Sequence, residues 1–170
     1  LNISVEELVA LGRSPYKNFW DLDLNDKDFS IVKKAIEIVD IEKLKNKNIN
    51  ELSGGQIQRA YLAMSIAQNP KILLLDEPTT FLDINYQIKF LESLRQLIKN
   101  NGISIITVLH DINLAARFCD RIAILKNGKL LDINTPKKAI TELNFKRAFD
   151  IDSHILETPV GLQLFPVSKK

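Results

Sequence analysis

The chain has 170 residues, 45% of them hydrophobic, enough for one domain with a real core or for a large piece of a bigger domain. Its 23 Lys and Arg against 21 Asp and Glu leave a net charge of +2, scattered along the chain, so no nucleic-acid footprint is expected. A single cysteine, Cys119, rules out an internal disulfide. With no secretory leader pattern and no apolar run long enough to span a bilayer, a reducing cytoplasmic setting is expected, any membrane link being made through a partner.

The first third reads as helices. Ser4 followed by Glu7 is a capping box ahead of Leu8, Val9 and Leu11. Asn25 or Asp26 caps a second helix in which Phe29, Val32, Ile36 and Val39 recur at three- and four-residue spacing. Between them, "GRSPYKNFW" reads as a loop whose aromatics Tyr16, Phe19 and Trp20 fit either a satellite core or an exposed docking surface. A third helix starts at "SGGQ", with Ile57, Ala60, Tyr61 and Met64 as its apolar positions.

From residue 72 strands alternate with helices. Residues 72–75 form a strand, expected to be buried on both faces if it lies in a parallel sheet. A helix over 84–98 follows, with its stop at Gly102, then a strand over 103–109. Asp111 caps a short helix through Phe118, and Cys119 is expected to act as a small buried hydrophobe. Residues 122–125 and 129–133 make a hairpin about Asn127-Gly128. Thr135-Pro136 and Thr141 start two more helices, and "TPVG" turns a last hairpin through 163–167.

Three features in this order suggest a nucleotide site. Ser53, Gly54, Gly55 and Gln56 open a helix, where adjacent glycines let backbone N–H groups approach an anion and the helix dipole favours negative charge. Asp76 and Glu77 leave the carboxyl end of the next strand, the edge at which open α/β sheets hold ligands. His110 follows the strand after that. Taken singly, each fits a bland reading as well: a Ser-Gly-Gly cap, solvated acids before Pro78, and a capping or packing histidine. Together they favour nucleotide hydrolysis.

On these residues the chain resembles a known family. "LSGGQ", "ILLLDEP", "FLD" and "LHD" are similar to the signature, Walker B, D-loop and switch-histidine motifs of ATP-binding-cassette (ABC) ATPases. "VEELVALGRSPY", "LDINYQ", "VLHDINLAARFCDRI" and "PKKAITELNFKRAFDID" further resemble the importers of metal chelates: iron-siderophores, haem and cobalamin. The resemblance implies a P-loop NTPase-like α/β fold: a helical subdomain over 1–69, the second half of the parallel-sheet ATPase core over 70–133, and a tail over 134–170.

It implies ATP and Mg2+ as cofactors, with Asp76 serving the magnesium through water, Glu77 polarising the attacking water and His110 meeting the γ-phosphate. Ser53, Gly54, Gly55 and Gln56 would reach the nucleotide held by a second copy of the ATPase, and Asp83 would communicate across that dimer. The other partners implied are membrane permease subunits, with the ATPase peripheral on the cytoplasmic face.

Departures from the family pattern are Phe81, where a small or polar residue is common, and Met64, where arginine is common. No Gly-x-x-x-x-Gly-Lys-Ser/Thr occurs, and the glutamine loop is absent too. The expectation is therefore the carboxyl-terminal part of a longer cassette, inactive by itself. A noncatalytic short module and a DNA-repair ATPase are the rival readings, the latter lacking its usual long insertions here.

Overall fold

A computed structural model describes residues 2–16, 24–80 and 82–167. Phe19, Trp20 and Phe81 therefore lie outside the described residues. The chain forms two compact units, Leu1–Val108 and Leu109–Lys170.

The first unit opens with three helices. Helix α1 (Val5–Ala10) starts at the capping box of Ser4 and Glu7, and α2 (Asp26–Ile38) at a second box made by Asn25 and Asp28. Helix α3 (Gly54–Ala67) starts at a third, made by Ser53 and Gln56. Each box satisfies amide donors that a helix start leaves over, so all three helices have defined beginnings. Their core is Val5, Leu8 and Val9 from α1, Val32, Ala35 and Ile36 from α2, and Ala60, Ala63 and Ala67 from α3. Small alanines on α3 let the other two helices come close.

Residues Leu11–Tyr16 are a 3-10 helix rather than the expected loop. Its seating explains the difference. A Cβ at Gly12 would sit 2.3 Å from the Met64 carbonyl oxygen, so only glycine allows this approach to α3. Beside it the buried Arg13 guanidinium donates to Asp28 Oδ1 at 2.9 Å and to the Ala67 carbonyl at 2.7 Å. Arg13 also stacks over Tyr16, whose hydroxyl donates to the Gln68 carbonyl at 2.7 Å.

Strand β1 (Ile72–Asp76) follows, then α4 (Ile84–Asn101), which ends at Gly102 in the left-handed conformation, and β2 (Ser104–Val108). The two strands are parallel, with Ile72 opposite Ser104 and Asp76 opposite Val108. Only one face of this pair is covered. Leu73 is buried, whereas Ile72, Leu74, Ile106 and Val108 on the other face are 59%, 71%, 62% and 52% exposed. The expected double burial is thus not met among the described residues.

The second unit contains α5 (Ile112–Phe118), the hairpin β3 (Ile122–Lys126) and β4 (Lys129–Asn134), α6 (Pro136–Ala139), α7 (Glu142–Phe149), and the hairpin β5 (Asp152–Thr158) and β6 (Gly161–Val167). Asn127 and Gly128, both at positive φ, make the first hairpin turn as their sequence requires. Ile140, Phe145 and Leu164 form one core cluster. The Asn113 side chain clips α5 to β6, accepting from the Leu164 N–H at 2.8 Å. Cys119 follows α5 and is only partly buried, a correction to its expected place in the core.

Candidate functional site

The parallel strand β1 carries Asp76 to its carboxyl end, where the side chain is exposed. Glu77 comes next and is half-buried, with φ at +47°. For a residue with a Cβ this left-handed conformation costs roughly 1–2 kcal/mol. Local contacts hold it. The Glu77 carbonyl accepts the Thr80 amide at 3.3 Å and the Gln58 side-chain amide at 3.4 Å, while Thr80 Oγ1 donates to Glu77 Oε2 at 3.3 Å.

The turn beyond Glu77 is closed by a second amide. Gln87 Nε2, on α4, donates to the carbonyls of Thr79 and Leu82, each at 3.0 Å. Asp83 caps α4, its Oδ1 accepting the Tyr86 amide at 3.0 Å, and its side chain is exposed. The acids, the turn and the start of α4 are therefore one hydrogen-bonded piece.

Ser53 and Gln56 occupy each other at the start of α3: Ser53 N donates to Gln56 Oε1 at 3.0 Å, and Ser53 Oγ accepts the Gln56 amide at 3.4 Å. The bland reading of this tetrapeptide as a cap is thus satisfied. The cap also leaves Gly54 exposed, with nothing within 4 Å of where a Cβ would stand. Open backbone at the N-terminus of a 14-residue helix suits an anion brought from outside.

His110 is exposed in the bend between Val108 and Asp111, the cap of α5, and belongs to the second unit. The first unit brings Asp76, Glu77 and Asp83 into one continuous stretch and ties α3 to it through Gln58. The contacts made by Gln58, Thr80 and Gln87 were not anticipated from the sequence. A glutamine one turn past the glycines, on the face of Gly54, is the only mark that Gln58 carries.

As a magnesium ligand set the residues fit sparsely. No cluster of three or more His, Cys, Asp or Glu able to hold a metal exists among the described residues. A single exposed carboxylate such as Asp76 still suits Mg2+, which keeps several waters and takes other oxygens from phosphates.

Residues 3–80 match the family described as ABC transporter. The fold superposes on that of an ABC transporter described as metal-chelate type, in an inward-facing conformation. The TM-score is 0.86 over 99% of this chain and 68% of that one, at 23% identity, which speaks for the fold alone. Over residues 3–80 in sequence, and in fold, the chain is similar to ABC transporter chains.

Its relatives are more specific. It is 41% identical over 157 residues to the petrobactin import ATP-binding protein FpuC of Bacillus anthracis, covering 92% of this chain and 57% of that protein. It is 39% identical over 160 residues to the ferric enterobactin transport ATP-binding protein FepC of Escherichia coli strain K12, covering 94% of this chain and 59% of that protein. The chain thus spans less than two thirds of the length of either.

Proposed function

We propose that the chain works within the ATP-binding subunit of an importer in which ATP hydrolysis drives uptake of a metal chelate, an iron-siderophore in the first instance. The observation that carries this reading is the Asp76-Glu77 pair at the carboxyl end of a parallel strand, with Glu77 fixed in a strained backbone and linked to the helix that Ser53 opens. The names of FpuC and FepC support the class of cargo.

Asp76 would hold Mg2+ and Glu77 would polarise the attacking water. His110 meets the γ-phosphate. Phosphoryl transfer needs positioning and charge stabilisation rather than covalent chemistry, so exposed groups at a strand end suffice once nucleotide arrives. Mg-ATP, when bound, supplies the reacting phosphate and the charge-neutralising ion.

The open start of α3, with Ser53, Gly54, Gly55 and Gln56, serves the nucleotide of a second copy, and Asp83 carries the state of one copy to the other. Residues 1–69 form the helical subdomain that docks on membrane permease subunits, 70–133 the second half of the ATPase core, and 134–170 a tail. The subunit is peripheral on the cytoplasmic face. No helix among the described residues is long and apolar enough to cross a membrane.

The test is Glu77→Gln in the natural protein. ATP binding is expected to persist while turnover falls about 10²–10⁴-fold, because the substitution removes the group that orients water and leaves the phosphate contacts. Normal turnover would remove Glu77 from this role. Deleting the gene is expected to stop uptake of a ferric siderophore. Unchanged uptake of iron-siderophore, haem and cobalamin would defeat the cargo assignment.

A further inference from the structure

The geometry points to Gln58 as a positioning residue that ties the phosphate-facing helix α3 to Glu77 of the same chain. It rests on the reading of Glu77 given above and adds to that reading the means by which Glu77 is held.

Two observations carry it. Glu77 keeps φ at +47° although it has a Cβ, so its surroundings must impose that conformation. Its carbonyl is where they act, with Thr80 N at 3.3 Å from within the turn and Gln58 Nε2 at 3.4 Å from α3. The contact from α3 comes from outside the turn.

The second observation is what Gln58 gives up. Its Oε1 is buried and meets no hydrogen-bond partner among the described residues, which is unfavourable for an amide oxygen. Turning the amide over would set Oε1 against the Glu77 carbonyl, oxygen facing oxygen, so the donor must point at Glu77. Gln58 leaves its acceptor unsatisfied in order to keep its donor on that carbonyl.

The position of Gln58 gives the contact its meaning. It lies four residues after Gly54, hence on the same face of α3 one turn further in. A shift of α3 along or about its axis, such as an anion engaging its N-terminus would produce, moves Gln58 Nε2 relative to the Glu77 carbonyl. The peptide unit of Glu77 then follows, and its carboxylate with it.

The test uses three variants in the natural protein. Gln58→Leu keeps the side-chain volume and loses the donor, whereas Gln58→Lys keeps a donor of similar reach. Gln58→Leu is expected to lower kcat about 10–100-fold, with KM for ATP within about twofold of wild type, the size of effect that misplacing a reacting group by a fraction of a bond length produces. Gln58→Lys is expected to keep most of kcat. Wild-type kcat in Gln58→Leu would overturn the inference, as would an equal loss in both variants with KM rising, which is the mark of packing alone. Should Gln58→Leu fail to fold, Gln58→Glu takes its place, since a carboxylate at neutral pH has no proton to donate.

Glu77→Gln, measured beside them, separates the two levels. Loss of turnover there with wild-type kcat in Gln58→Leu sinks the positioning role and leaves the proposed function standing. Full turnover in Glu77→Gln sinks both.

Discussion

The helices α1 to α3 and the strand pair β1 and β2 belong to the same unit, yet they are finished to different degrees. The helices close on themselves: three capping boxes, a core of buried side chains from all three, and Arg13 buried against Asp28 and the Ala67 carbonyl. The strands do not. Ile72, Leu74, Ile106 and Val108 present an open apolar face, and among the described residues each strand has one unpaired edge. The difference teaches that the helical part carries its own stability, while the sheet that bears Asp76 is shaped for further layers of structure.

The sharpest way to break this comparison is through Arg13. Arg13→Met removes the cation from a buried carboxylate, and unfolding of the helical part by denaturant is expected to become easier by about 3–5 kcal/mol. A loss below 1 kcal/mol would mean that the ion pair is a passenger. Gly12→Ala comes next: its Cβ meets a backbone carbonyl rather than a flexible side chain, so a cost of about 1–3 kcal/mol is expected in the same measurement.

On the sheet the expectation reverses. Leu74→Glu combined with Ile106→Lys is expected to change the stability of the chain by no more than about 0.5 kcal/mol, as surface substitutions do. Sedimentation is expected to show less self-association. Marked unfolding would show that this face is buried after all.

The smallest effect concerns α1. Hydrogen bonds from the Ser4 backbone and then from its hydroxyl hold the exposed Glu7 carboxyl below its ordinary value of 4.5. A lowered folded-state pKa adds stability above the ordinary value and loses it as pH falls through the folded one. The start of α1 is therefore expected to fray in that acid window, read from the amide signals of Glu6 to Leu8. In Glu7→Gln the fraying is expected to lose its pH dependence.

Much of this was legible in the sequence because it is written locally. Capping boxes show in residues three apart, the Asn127-Gly128 turn in a dipeptide, and β1 in an apolar run ending in acids. What stayed hidden depends on partners distant in sequence. Nothing in "DEP" marks Glu77 for positive φ, and one of the contacts at its carbonyl comes from a glutamine on another element. The 3-10 helix at Leu11–Tyr16 owes its shape to Gly12 touching Met64 and Arg13 reaching Ala67, contacts no local pattern encodes. The open face of β1 and β2 is not written in the apolar run itself, because periodicity tells which residues are apolar, not whether anything covers them.

The cap of α4 has a mechanical side as well. Asp83 binds the Tyr86 amide through one carboxylate oxygen, and α4 runs for 18 residues from there to the glycine stop that precedes β2. That is about 27 Å of hydrogen-bonded helix. A force applied at Asp83 does not stay there: the helix passes it, as a strut passes a push, to the foot of the second strand.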